Sequence, residues 1–306
     1  MKAIVILLLT VVLSITVRAQ QQAMYTQYMF NNQAINPAYS AMEESLRVTA
    51  LSRMQWTGFK GAPRTQALSI HSPIGETDTF IGGILTDDRA GEVLKETGGY
   101  FTLAQRVEVG EEGYLAVGFN GGLSNFRGDY SQLYAQSPES VNDPVFQNTS
   151  VIRGNFGAGV MYFTPKFYMG ISSPYFYQRS IASADKAEGS LRNKPHYYFQ
   201  AGTLWDVSYD FKYKPGILVK YVNGSPVQFD VSSSILLMEK FWLGASYRSM
   251  DSFNFMASFF VTPDVQFGYS YDMAHTELRG YQRGSHEVML KFRFAVRGRN
   301  HLACYF

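Results

Sequence analysis

The chain has 306 residues, a formal net charge of +2 at pH 7 and an aromatic content of 15%. Because the charge is near balance and no block of five or more Lys and Arg residues occurs, nucleic-acid binding has no support. The length suits either two ordinary domains or one barrel, and no linker divides the chain. The high aromatic content is typical of strands that cross a bilayer between aromatic girdles.

Residues 1–19 have the features of a secretion signal. Lys2 precedes an apolar stretch from Ala3 to Leu13, and Val17-Arg18-Ala19 stands before the expected cleavage site. The alternative is an anchored N-terminal helix, but the apolar run is shorter than the ~20 residues that a spanning helix needs. We therefore expect the mature chain to begin near Gln20. Its single cysteine, Cys304, excludes an intrachain disulfide.

Beyond the signal, apolar and polar residues alternate with a period of two. In residues 265–272, Phe267, Tyr269 and Tyr271 share one face and polar or small residues share the other. Residues 286–294 show the same alternation. A strand of this kind is half-buried either against a bilayer or against a second sheet. The alternation alone leaves both possibilities open.

Alternation and turn residues together predict about fourteen strands, an even number as in single-chain bacterial barrels. The predicted strands are residues 45–56, 64–72, 79–87, 97–109, 114–127, 154–164, 167–177, 195–208, 211–222, 226–238, 241–249, 252–262, 265–272 and 285–296. The predicted fold is all-β: a transmembrane, antiparallel, up-and-down β-barrel with an N-terminal segment outside the wall.

The predicted connections alternate between tight turns and longer loops. The tight turns are residues 74–78, 110–113, 165–166, 208–210, 239–240 and 263–264, and the long loops are 88–96, 128–153, 178–194 and 273–284. A soluble β-sandwich has no reason to sort its loop lengths between its two ends, so the barrel is favoured. Since outer-membrane barrels have short periplasmic turns and long external loops, we expect the outer membrane as location and both termini in the periplasm.

The chain is thereby divided into four parts. Residues 1–19 are the signal peptide, 20–44 an N-terminal periplasmic or plug segment, 45–296 the barrel, and 297–306 a C-terminal tail or the end of the last strand. Within the second part, the segment from Gln20 to Tyr39 is rich in Gln, Asn, Tyr and Met and lacks clean alternation. It either docks a periplasmic partner or folds into the lumen as a plug.

No residue set specifies catalysis or a metal. Ser69 and His71 face the same side of one strand, as a nucleophile and its base would, but a spacing of two puts them roughly 7 Å apart. Asp87 and Asp88 point to opposite faces, and Arg89 offers a salt-bridge partner. The histidines show no ligand spacing with Cys, Asp or Glu. We expect no catalytic residue, no metal and no cofactor.

Several sequence blocks resemble one known family. The N-terminal run from Gln27 to Tyr39 reads QYMFNNQAINPAY and is similar to the start of mature PorP/SprF proteins, outer-membrane components of the type IX secretion system and gliding machinery. Further matching blocks are residues 53–56, 58–63, 66–72, 87–91, 269–272, 278–281 and 284–287. Residues 128–194 do not match, which fits external loops that vary with what they bind.

The resemblance implies a non-enzymatic barrel in outer-membrane lipid that binds a protein partner. The partner is a secreted cell-surface protein with a type IX C-terminal domain, or a periplasmic type IX machinery or peptidoglycan-binding subunit. The candidate partner-binding residues are Tyr28, Phe30, Asn36, Tyr39, Tyr130, Tyr134, Phe146 and Tyr281. The alternative is an outer-membrane uptake channel for small solutes. A weaker rival is a barrel hydrolase that uses Ser69 and His71.

Overall fold

The strands have polar side chains on their buried face and apolar side chains on their exposed face. In the strand Ser252–Thr262, Asn254 and Ser258 are buried whereas Phe253 and Phe255 are exposed. A water-soluble protein has the opposite arrangement, because burial of apolar surface stabilises its fold. The pattern is that of a barrel wall with a polar interior and lipid outside.

The computed structural model describes residues 24–130, 148–180 and 194–298. In these ranges the strands are β1 (Leu46–Met54), β2 (Arg64–Pro73), β3 (Thr79–Ala90), β4 (Leu94–Val109), β5 (Gly113–Gly128), β6 (Thr149–Phe163), β7 (Phe167–Ser180), β8 (His196–Thr203), β9 (Trp205–Ser208), β10 (Phe211–Val222), β11 (Gln228–Leu237), β12 (Phe241–Arg248), β13 (Ser252–Thr262), β14 (Val265–Ala274) and β15 (Ser285–Phe294). No helix among the described residues is both long and apolar enough to cross a bilayer.

The strands form one closed antiparallel sheet. Neighbouring strands pair in chain order, β15 pairs with β1, and pairing of β10 with β11 completes the ring. β8 and β9 both pair with β10 and are separated only at Leu204, so together they form one wall strand. The described wall therefore has 14 strands, and the predicted barrel is confirmed.

The two ends of the barrel differ in their connections. We call one the short-turn end, where β1 begins, β15 ends and all connections have five residues or fewer: 74–78, 110–112, 164–166, 209–210, 238–240 and 263–264. We call the other the long-loop end, with connections 55–63, 91–93, 129–148, 181–195, 223–227, 249–251 and 275–284. Most of 129–148 and 181–195 lies outside the described residues.

The prediction of a long loop at residues 88–96 is wrong. β3 continues to Ala90 and β4 begins at Leu94, so only a three-residue turn remains. The charged side chains of this region pair along the hairpin: Asp87 pairs with Arg89 at 3.0 Å and with Lys95 at 2.8 Å. The expected ion pair of Arg89 with its neighbour is confirmed.

Residues 24–44 occupy the lumen. They contain three short 3-10 turns, Tyr28–Phe30, Asn32–Ala34 and Pro37–Ala41, and nearly every side chain is buried. Asn36 begins the third turn, where its side-chain oxygen accepts from the Ala38 N–H at 3.0 Å and Pro37 supplies the first helical position. We call residues 24–44 the plug.

Candidate functional site: the plugged lumen

The plug contacts the wall on opposite sides of the lumen. On one side Gln33 Nε2 donates to the backbone oxygen of Ile70 in β2 at 3.2 Å. On the other side Ser172 of β7 donates to the Ile35 oxygen at 2.8 Å. The Phe30 ring packs edge-on against Trp242 of β12, with ring centroids 6.0 Å apart. Because these contacts come from three separate parts of the ring, the plug reaches across the width of the lumen.

Wall glycines let the plug approach the strands closely. A Cβ on Gly118 of β5 would lie 2.3 Å from the Ala38 nitrogen and 2.5 Å from the Pro37 carbonyl carbon. A Cβ on Gly159 of β6 would lie 2.1 Å from Asn36 Oδ1. Any larger residue at these positions would therefore displace the plug backbone or the Asn36 side chain.

A buried charged cluster holds the first residues of the plug. Arg53 of β1 lies 2.6 Å from Asp272 and 3.2 Å from Glu287. The two Glu287 carboxylate oxygens accept the backbone N–H groups of Thr26 at 2.9 Å and Gln27 at 2.8 Å. Thr26 Oγ1 donates to Asp272 Oδ2 at 2.7 Å and accepts from Arg53 Nη1 at 2.8 Å. Wall charge and plug backbone thus satisfy each other.

The cluster also gives the direction of the plug. Arg53 stands one residue before the long-loop end of β1, and Glu287 is two residues into β15 from the same end. Thr26 therefore lies in the long-loop half, whereas the chain enters β1 at Leu46 on the short-turn end. The plug runs through the lumen, with Met24 toward the long loops.

A second buried cluster surrounds Glu43 near the other end of the plug. Glu43 forms an ion pair with Arg47. It forms a second ion pair with Lys291, whose Nζ lies 3.4 Å from Glu43 Oε1. The other carboxylate oxygen, Glu43 Oε2, lies 3.4 Å from His71 Nε2. Burial by itself raises the pKa of the Glu43 carboxyl, but Arg47 and Lys291 outweigh it and hold that pKa well below its usual range. Lys291 Nζ also donates to the Phe30 oxygen at 3.2 Å.

Ser69 and His71 both face the lumen, where each contacts the plug. Ser69 Oγ donates to Asn31 Oδ1 at 2.8 Å, and His71 Nδ1 lies 3.1 Å from Gln33 Oε1. The expected shared face is observed, yet each side chain is bound to its own plug residue. Their arrangement supports a role in holding the plug.

The candidate partner-binding residues fall into three groups. Tyr28, Phe30, Asn36 and Tyr39 are buried inside the barrel as parts of the plug. Tyr130 is half-buried at the start of the 129–148 connection, and Tyr281 is 77% exposed at the long-loop end. Tyr134 and Phe146 lie outside the described residues. Partner binding by these residues stays a prediction, and burial makes the first four unavailable to a partner while the plug is in place.

The wall charges that hold the plug are not among the candidate residues predicted from the sequence; they are Arg53, Asp272, Glu287 and Lys291. A usable signal is present: each has the lumen-facing parity of a strand whose other face is apolar, and an ionised side chain in a lumen needs a partner. Among the described residues, no group of three or more His, Cys, Asp and Glu side chains is placed to hold a metal ion.

Comparisons with solved structures show the fold. The monoaromatic hydrocarbon channel CymD is 12% identical with a TM-score of 0.50, covering 89% of this chain and 93% of its own. The Acinetobacter baumannii outer membrane protein Omp33 is 11% identical with a TM-score of 0.47, covering 83% of this chain and 100% of its own. At these identities the likeness extends to the barrel alone.

Comparisons of sequence show the family. No curated protein matches the sequence. A family model described as type IX secretion system membrane protein PorP/SprF matches residues 17–292, which include the plug and all but the last two residues of the wall. The chain therefore belongs to the PorP/SprF family of type IX secretion system membrane proteins.

Proposed function

We propose that the protein is a non-enzymatic, plugged outer-membrane β-barrel that anchors a protein partner of the type IX secretion system. The partner is a secreted cell-surface protein with a type IX C-terminal domain, held at the long-loop end, or a periplasmic machinery or peptidoglycan-binding subunit, held at the short-turn end. The barrel family supports the setting.

The observation that carries the proposal is the plug itself. A channel needs an open path, but residues 24–44 lie inside the lumen and bind both its long-loop half and its short-turn half. A wall whose buried charges hold a plug suits a scaffold better than an uptake channel for small solutes.

The proposed orientation has the short-turn end in the periplasm and the long-loop end outside the cell. The carboxyl end of β15 is then periplasmic, as expected from the sequence. The amino end differs from that expectation. Met24 lies toward the long loops, so the course of the plug favours the outer side of the membrane for this end.

The proposed function is tested by deleting the gene in its native cell and measuring where type IX secreted proteins go. The anchoring role predicts that at least one such protein moves from the cell surface to the medium, or stays inside the cell, and that it returns when the chain is supplied again. Unchanged distribution of every secreted protein, together with no partner in mild-detergent purification, would overturn the proposal.

A further inference from the structure

Three connections join into one surface at the long-loop end. Thr57 N donates to the Gly284 oxygen at 2.8 Å, and Arg283 N donates to the Thr57 oxygen at 2.8 Å, which ties connection 55–63 to connection 275–284. Lys60 Nζ lies 3.2 Å from Glu92, which ties 55–63 to the turn 91–93. We call these three connections the paired-loop surface.

The paired-loop surface has a well-defined backbone. Within 55–63, Gln55 N donates to the Pro63 oxygen at 2.9 Å and Phe59 N to the Trp56 oxygen at 3.2 Å. Trp56 has a φ of 47°, a left-handed conformation that is strained for a non-glycine residue and persists only where surrounding contacts enforce it. A loop held this way loses little conformational entropy when it binds a partner.

Two large aromatic rings project from this surface. Phe59 is 56% exposed and Tyr281 is 77% exposed, one on each of the two hydrogen-bonded connections. Exposed aromatic side chains on a rigid backbone supply much of the binding energy of protein interfaces, because they bury large area at small entropic cost.

The charges indicate the chemistry of the occupant. Arg279 and Arg283 are exposed, and neither guanidinium has a carboxylate partner within the described part of the chain. Lys60 and Glu92 pair with each other. The remaining charged side chains of the surface are one carboxylate, Glu277, and the two arginines, so the unpaired charge is positive. The matching partner face carries carboxylates, which guanidinium groups bind in bidentate geometry.

We propose that the paired-loop surface is the docking site for an acidic face of a secreted protein, with Phe59 and Tyr281 as apolar anchors and Arg279 and Arg283 as carboxylate ligands. This proposal rests on the proposed anchoring function. The two arginines alone would also suit a lipid headgroup. Phe59 and Tyr281 lie on connections beyond the strand ends and not on the outer face of the wall, so the aromatic pair favours a protein.

The test uses the full chain in its native cell. The double variant F59A/Y281A is compared with Y209A, which removes a 93% exposed tyrosine from the turn at the opposite end of the barrel. A third strain carries R279E/R283E. Folding of each variant is checked by the heat-dependent shift of the barrel on gels. The protein to be followed is the one that gene deletion releases, and its amount is measured in the cells and in the medium of each strain. A photo-crosslinking residue at position 281 then reports what lies against the surface.

The proposal predicts at least a tenfold rise of that protein in the medium for F59A/Y281A and for R279E/R283E, with Y209A at the wild-type level, and a crosslink from position 281 to the same protein. Full retention in both variants, while gene deletion releases the protein, would overturn the docking site and leave anchoring intact. If R279E/R283E cells become sensitive to detergents while the secreted protein is fully retained, the surface binds lipid. That result would overturn the docking site as well. An unchanged distribution of every secreted protein on gene deletion, together with no partner in mild-detergent purification, would overturn the anchoring function itself.

Discussion

Arg53 Nη1 on β1 lies 3.2 Å from Glu287 Oε2 on β15, and both side chains are almost completely buried. The same carboxylate accepts two backbone N–H groups of the plug. One buried ion pair thus joins two wall strands to the plug, whose Gln27 lies 260 residues from Glu287 in sequence. The plug therefore contributes to the stability of the wall. Removing it from the wall would leave buried charges and N–H groups without partners.

Replacing Glu287 by Ala should loosen the plug. Asp272 still compensates Arg53 at 2.6 Å in this variant, but the backbone N–H groups of Thr26 and Gln27 lose their acceptors. Each buried donor left without a partner costs about 1–3 kcal/mol. We expect a lower temperature at which the folded band is lost on gels. The matched control is Asp264→Ala, which removes a 61% exposed carboxylate paired with Arg293 and should cost about 1 kcal/mol or less. Equal losses in both variants would contradict a special role for Glu287.

Replacing Gly118 by Ala should displace the plug without altering the outer face of the wall. The added methyl would meet the Ala38 and Pro37 backbone at 2.3 to 2.5 Å, and such overpacking costs about 1–3 kcal/mol. Gly121→Ala is the control on the same strand, since its nearest neighbour would be the Asn155 oxygen at 3.9 Å. Thermal stability and protease resistance of residues 24–44 should fall only in Gly118→Ala.

The ion pairs of Glu43 predict a loss of stability in acid. The folded-state pKa of Glu43 is depressed, so its contribution is present above the unfolded value of about 4.3 and is lost as the pH falls through the folded pKa. The wild type should therefore become less resistant to urea as the pH falls below about 4.3, and the loss should continue toward the depressed folded pKa. Glu43→Gln should be less stable at pH 6 and should show a smaller pH dependence; an unchanged dependence would contradict this assignment.

The apolar outer face predicts sensitivity to charge in the middle of a strand. Phe255 of β13 is exposed on the outside of the wall. An arginine at the bilayer midplane destabilises a barrel by about 2–4 kcal/mol, so Phe255→Arg should reduce the amount of folded barrel in membranes. Phe255→Leu keeps an apolar side chain and should behave as the wild type. Normal levels of Phe255→Arg would argue that this face is not in lipid.

The strands could be predicted because their signal is local. Alternation such as that of Phe253 and Phe255 with Asn254 depends only on which face of one strand meets lipid. Two features depend instead on contacts between strands and could not be predicted locally. One is the break of a wall strand at Leu204. The other is the extension of β3 and β4 through Asp87 and Lys95, where turn-forming residues indicate a loop.

The site could be predicted only in part, because its contacts are long-range in sequence. The choice between docking segment and plug for residues 24–44 required knowing that Glu287 and Asp272 face Thr26, more than 240 positions away. Phe59 gave no signal on its own. Its exposure and its place beside Tyr281 follow from hydrogen bonds between two loops that are far apart along the chain.

Conductance in planar bilayers tests the plugged scaffold most directly. The wild-type barrel should stay silent, and a variant that lacks residues 24–42 but still shows the heat-dependent gel shift should form a steady open pore. A steady pore in the wild type, with the same conductance as the variant, would contradict the plugged scaffold and favour an uptake channel.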